Sequence, residues 1–145
     1  MLPQGKQVIC IAQSSTTNAA TATGNIDTLG FDFCTLDVIM ATSNDTTNNP
    51  TVFKLQESDD TTVTNFADIT AFVGDGTGGW TIPAAVTSGN WGAKFNVDLR
   101  GRKRYLRLSI SPLTTQVITA IANLYRGDEA PVNTTDADVK ALVEG

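Results

Sequence analysis

Apolar residues recur at every second position along most of this chain, and the intervals between such runs are filled with Gly, Asn, Asp, Thr and Pro. Successive side chains of a strand point to opposite faces, so a period of two builds half-buried strands rather than amphipathic helices. The cleanest run is Trp91 to Leu99, with Trp91, Ala93, Phe95, Val97 and Leu99 on one face and Lys94, Asn96 and Asp98 on the other. Threonine occurs 22 times, and its β-branched, hydroxyl-bearing side chain fits a pleated, water-facing surface. Only 17% of residues are charged, below the usual share of about 25%, so Thr, Ser, Asn and Gly must solvate much of the surface.

About eight strands are expected. The first is Gln7 to Gln13; Ser14 to Gly24, rich in Thr, Ala and Asn and without periodicity, reads as an exposed loop or arm over 14–24. Leu29 to Thr42 alternates over a long stretch with both faces partly apolar, as expected of a central strand or one that bends between two sheets. Ser43 to Pro50 is a turn by composition, followed by strands at Thr51 to Ser58 and Ala67 to Val73. Trp80-Thr81-Ile82 follows the glycine-rich 74–79 and stops at Pro83. Trp91 to Leu99 then leads through a tight Arg100-Gly101-Arg102 hairpin turn into Arg104 to Ser111, with Leu106, Leu108 and Ile110 inward. Gln116 to Arg126 is apolar on both faces, as expected of a strand buried in the middle of a sandwich, with its alanines where two sheets come close. In the C-terminal extension, 132–145, Thr135 and Asp138 resemble a helix cap, and Val139, Leu142 and Val143 recur at helical spacing. A short helix is therefore expected over Asp136 to Glu144. The fold class is all-β: a two-sheet antiparallel sandwich, jelly roll ahead of immunoglobulin-like because no Cys…Trp…Cys frame is present.

Residues 1–145 suit a single domain, long enough to bury about 68–70% of the surface of its extended chain. The apolar run Val8 to Ala12 is too short for the core of a secretory signal, and no stretch approaches the roughly 20 apolar residues of a membrane span. A soluble protein made in the cytoplasm is expected. Cys10 and Cys34 read either as small buried apolar residues or as a disulfide, and spacing does not choose between them. Asn44-Asp45-Thr46 and Asn133-Thr134-Thr135 match a glycosylation acceptor without the secretory context that would give it meaning.

The chain contains no histidine, which removes Ser-His-Asp and Cys-His nucleophile systems, imidazole metal ligands and imidazole general bases. Carboxylate-only chemistry would have to come from Glu57 with Asp59 or Asp60. The simpler reading of Glu57-Ser58-Asp59-Asp60 is a strand end whose side chains bond to nearby backbone amides, and no catalytic, metal or cofactor site is expected. Gly74-Asp75-Gly76-Thr77-Gly78-Gly79 lacks the Lys-Ser/Thr ending and helix of a phosphate loop and reads as a turn. Arg126-Gly127-Asp128 is an integrin-type tripeptide too short to support that role. Trp80 and Trp91 fit a core, or else a sugar-stacking platform.

Half of the ten basic residues lie in one block: Arg100, Arg102, Lys103, Arg104 and Arg107. With a net charge of −5, the whole chain repels nucleic acid and anionic membranes, so the block suggests a local anchor, for which nucleic acid is one candidate partner and an acidic protein surface or a sister subunit fits at least as well. The competing reading is a solvated turn whose arginines pair with carboxylates such as Asp98. Against it, five like charges within eight residues repel one another.

Three segments taken in order carry a family resemblance: Phe53-Lys-Leu-Gln-Glu-Ser-Asp-Asp60, the Arg-Gly-Arg-Lys-Arg-Tyr-Leu-Arg-Leu block ending at Leu108, and the strand with Ala120 and Ala122 leading to Ala130-Pro131. Over the middle and C-terminal two thirds, the chain resembles the capsid decoration, or cement, proteins of tailed double-stranded DNA bacteriophages. That resemblance implies a jelly-roll homo-oligomer on the capsid exterior, made in the host cytoplasm, that bridges subunits of the major capsid protein and needs no active site. A contrasting expectation is a carbohydrate- or receptor-binding sandwich of a phage tail, using Trp80, Trp91 and the carboxylates around Asp59 and Asp75.

Overall fold

The computed structural model describes residues 5–41, 49–83, 90–126 and 141–144. Nine strands are described: β1 (Gly5–Thr16), β2 (Ala22–Asp27), β3 (Phe33–Met40), β4 (Val52–Ser58), β5 (Ala67–Val73), β6 (Trp91–Asp98), β7 (Tyr105–Ser111), β8 (Gln116–Tyr125) and β9 (Ala141–Glu144). They form one sheet in the order β1-β8-β3-β6-β9 and a second in the order β2-β7-β4-β5.

The pairings β1 with β8, β2 with β7, β3 with β6 and β4 with β5 are those of a single long hairpin. Rolling that hairpin on itself brings β3 against β8 and β4 against β7. This winding is the jelly roll, and it makes the molecule the all-β two-sheet sandwich that the alternation predicts.

Four local expectations change. Residues 14–16 continue β1 and 22–24 open β2, so the exposed arm shrinks to the short connection between two strands. Periodicity failed there because β1 carries register shifts between Ile9 and Ile11 and between Ile11 and Ser14, each of which breaks the alternation. In β2, Gly24 faces the neighbouring sheet so closely that a Cβ would collide with the Cys10 carbonyl, so an inward position of the strand carries no apolar side chain and Ile26 alone does not make an alternation. Residues 29–32 form a turn before β3, closed by the Phe31 N–H donating to the Thr28 carbonyl at 3.1 Å.

The expected terminal helix is, over 141–144, a strand parallel to β6, with Val143 opposite Phe95 and buried. The open edge of β6 offers a ladder of backbone partners, and these outweigh a helical pattern of only a few residues. Lastly, β6 and β7 lie in different sheets, so the basic turn is an inter-sheet connection and not a hairpin. The turn at 43–48, both Asn-x-Thr triplets, Gly127-Asp128 and residues 132–140 lie outside the described residues.

The core is unequal across its width. Phe53 and Phe72 from one sheet meet Phe95 from the other edge to face at 5.4 and 5.8 Å, and Trp80 packs on Phe53 at 5.0 Å and on Phe95 at 5.4 Å. Toward β1 and β8 the buried positions include the small Cys10, Cys34, Ala120 and Ala122 beside the aliphatic Ile118 and Leu124. Both cysteines are free thiols, and burial pushes each pKa up to about 12, so they act as small apolar side chains. Phe95 is fully buried at the meeting point of these rings, so Phe95→Ala is expected to lower unfolding free energy by about 3–5 kcal/mol in denaturant titration. A loss below about 0.5 kcal/mol would show that the cavity closes and that the cluster does not hold the sheets.

Candidate interaction surface

The basic block begins where β6 must leave its sheet and cross to the other. The Arg102 N–H closes the turn onto the Leu99 carbonyl at 3.0 Å, and Gly101 sits at φ 85°, the left-handed position that such a turn requires. The crossing places the block at one end of the sandwich, among strand ends from both sheets. From there each cation finds a partner within the chain.

Arg100 forks onto Asp98 through Nε at 2.9 Å and Nη2 at 2.8 Å, with its guanidinium 4.9 Å over the Phe33 ring. Arg102 lies 3.7 Å from the Glu57 carboxylate, which also accepts the Lys103 backbone N–H at 3.2 Å. Lys103 Nζ is 3.6 Å from Asp59. Arg104 forks onto Asp27 at 3.0 and 2.8 Å and stacks over Tyr105. Arg107 donates through Nε and Nη2 to Gln56 Oε1 at 3.0 and 2.8 Å, through Nη1 to the Val63 carbonyl, and covers the Phe66 ring.

Four of the five cations therefore pair with a carboxylate each, Arg107 bonding instead to the Gln56 amide, and the repulsion evident in the linear sequence is offset by residues brought from β2, β4 and β6 and from the loop after β4. Of these partners only Asp98 was legible, because it is two residues from Arg100. Asp27, 77 residues from Arg104, had no local signal. Most of these pairs are partly exposed, and such pairs are individually worth about 0–1 kcal/mol. Arg100, at 62%, and Lys103, at 45%, are the most open to solvent.

The acidic group serves the same corner. Asp60 accepts the Thr62 N–H at 2.7 Å and Asn65 Nδ2 at 2.8 Å, while its own N–H donates to Ser58 Oγ. These bonds hold its carboxyl below the usual range and match the loop-capping reading. No group of three or more Cys, Asp or Glu side chains able to hold a metal occurs among the described residues.

The tryptophans proposed for a sugar platform are part of the core, Trp91 at 5% exposure and Trp80 against Phe53 and Phe95. Asp75 accepts the Ile82 N–H at 2.9 Å beside Trp80. Asp59 lies past the far end of β4, about 20 Å along the strand from Phe53. Trp80 and Asp59 therefore do not converge on one surface.

Gln56 is buried, and its amide links Arg107 and Ser109 on the acceptor side to Asp68 on the donor side at 2.7 Å. Gln56→Leu strands the Arg107 guanidinium and should cost about 1–3 kcal/mol, read from the shift in denaturant midpoint. A neutral result would mean that water replaces the amide.

Asp27 and Asp98 are both held at about 2, against an ordinary value of 3.8, chiefly by hydrogen bonds from Arg104 and Arg100 respectively. Because the folded value is the lower one, the unfolded chain binds these protons more readily. Their stabilisation is complete above about pH 3.8 and lost as pH falls through about 2. Carbon-detected NMR titration should place both midpoints near 2, and Arg104→Gln should move Asp27 alone back toward 3.8. An Asp27 midpoint already near 3.8 in the unaltered protein would dismiss the fork.

No protein-family model matches the sequence, and comparison with curated proteins finds no match. Among solved structures, the chain is similar to part of a family GH115 4-O-methyl-α-glucuronidase with specificity for decorated arabinogalactans, at 14% identity and a TM-score of 0.41. The match covers 86% of this chain and 16% of that one. At that score and identity, neither an activity nor a substrate carries across.

Proposed function

We propose that this chain is a capsid decoration subunit that attaches to the outer surface of a tailed double-stranded DNA bacteriophage and stabilises the shell by bridging major capsid protein subunits. The sequence resemblance suggests it, and the jelly roll suits it. The observation that carries it is the use of ionic side chains. Glu57, Asp59 and Asp60, the residues on which carboxylate chemistry would depend, are each tied to the basic turn or to its neighbouring loop. Their role in this reading is structural, and so is the role of the chain.

The basic turn docks by exchange. A partly exposed ion pair worth about 0–1 kcal/mol is easily traded for one with a partner carboxylate, so Arg100, Arg102 and Lys103 can turn from Asp98, Glu57 and Asp59 to an acidic capsid surface. Arg104 and Arg107 stay to brace the turn, their guanidinium groups stacked over Tyr105 and Phe66. Weak single contacts become strong attachment when one subunit engages several shell proteins at once.

The test is co-sedimentation of the protein with undecorated shells across a salt series, beside mass spectrometry of purified particles for the chain at roughly shell-protein copy number. Binding should fall as salt screens charges beyond about 8–10 Å, and Arg102→Ala/Lys103→Ala should weaken it with little change in melting temperature. Absence of the chain from particles, or no sedimentation with shells, would defeat the decoration reading. Binding that ignores both salt and the double substitution would remove the turn from the interface.

A further inference from the structure

Nine of the ten basic residues lie among the described residues, and six of them close an ion pair within the chain. Arg107 is held by the Gln56 amide instead. That leaves Lys6 and Arg126, both exposed and neither ion-paired with a carboxylate among the described residues. In a chain of net charge −5, with acid to spare, this is the reverse of what charge statistics alone would give.

The fold puts the two cations side by side. Lys6 of β1 stands opposite Leu124 of β8, and Arg126 follows two residues later, one past the strand end, at a diagonal separation of about 7–8 Å. Both lie at the end of the sandwich that carries the basic turn. There the Leu99 N–H donates to the Asp32 carbonyl at 2.8 Å and the Asp32 N–H to the Tyr125 carbonyl at 3.0 Å, which laces together the ends of β6, β3 and β8. Lys6 reaches the same corner from β1, near enough to Asp27 to act on its carboxyl through space, though less than Arg104 does.

Arg126 is held ready. Its Nε donates to the Gly30 carbonyl at 2.6 Å, and its guanidinium lies 5.6 Å over the ring of Phe31, which packs against the core. Gly30 sits at φ 85°, and a Cβ there would stand 3.1 Å from Nη2, so glycine both permits the turn and leaves the guanidinium its room. With Nε engaged, Arg126 still presents both Nη groups, donors that match the two oxygens of a carboxylate. Asp32, exposed in the same turn, is ion-paired with neither cation.

We propose that Lys6 and Arg126 form an anion-receiving pair that takes a carboxylate of an acidic protein surface ahead of the basic turn. The order follows from what each cation must release. Arg100, Arg102 and Lys103 exchange one carboxylate for another, whereas Lys6 and Arg126 give up only water, and a carboxylate set between them also removes their mutual repulsion. A protein carboxylate suits the pair better than nucleic acid, whose dense phosphate charge a chain of net charge −5 repels at longer range. This role for the pair rests on the docked-subunit reading above, and it widens the docking surface from the turn to the ends of β1 and β8.

The test is titration of the full chain with a decaglutamate peptide at low salt, followed through the Nε–Hε resonances of Arg126 and Arg100 and the Cε–Hε resonance of Lys6. Arg126 and Lys6 should move at lower peptide concentration than Arg100. Lys6→Gln/Arg126→Gln should weaken binding about three- to tenfold with the melting curve preserved, and a ten-nucleotide single-stranded DNA should bind more weakly than the peptide. Arg100 moving first, no loss in the double variant, or tighter binding of the DNA would each overturn the proposal. So would an Arg126 response seen only after Asp128→Asn/Glu129→Gln, because the chain's own carboxylates would then already fill the pair. On undecorated shells, Lys6→Gln/Arg126→Gln should sediment less than the unaltered protein, and shells that bind both alike would overturn the proposal. Shells that bind neither, beside intact peptide binding, would defeat the capsid reading and leave the pair standing.

Discussion

Edge-to-face packing of Phe53 and Phe95 joins the two sheets, and the rest of the structure is arranged around that contact. Phe72, Trp80 and Trp91 surround it, so one side of the sandwich is filled by rings. The opposite side sets Cys10, Cys34, Ala120 and Ala122 among the aliphatic Ile26, Ile118 and Leu124, and there β1 and β2 approach closely enough to exclude a methyl group at Gly24. Interiors pack at nearly crystalline density, so aromatic rings on one side and smaller side chains on the other together determine how the sheets close. Two reduced, buried thiols are compatible with this role because their task is volume.

The rolled topology has an electrostatic consequence. Crossing from β6 to β7 carries five cations to the end of the sandwich where β2, β4 and β6 also begin or end, each bringing carboxylates. A sequence block that looks like a concentrated positive charge is thereby almost neutral in space. Exposed pairs of this kind contribute little to stability, which leaves them free to change partners. The same weakness makes the turn a candidate for salt-sensitive docking and a poor candidate for holding the fold.

Surface chemistry is divided between the two outer faces. One sheet carries a hydrogen-bonded ionic layer in which Gln56 is shared by Arg107, Ser109 and Asp68. The other is neutral over β1 and β8, with isoleucines open to water. The carboxylates that might have suggested an active site are engaged in holding the turn and its neighbouring loop.

Alternation in the sequence was sufficient for the fold class, for β4, β5 and β6 almost to the residue, and for the inward face of β7, because pleating makes each strand's burial a local property. It failed where a bulge in β1 interrupted the period, where β2 had glycine in place of an apolar side chain, and where Val143 followed an unpaired edge into a strand. Those outcomes depend on a neighbour that is distant in the chain. The candidate site divides in the same way: the five basic residues and Asp98 are visible as letters, but Asp27, Glu57 and the aromatic rings beneath the guanidinium groups are not. Charge adds along a sequence, yet its effect falls with distance in space, and only the rolled hairpin decides which opposite charges lie within 4 Å.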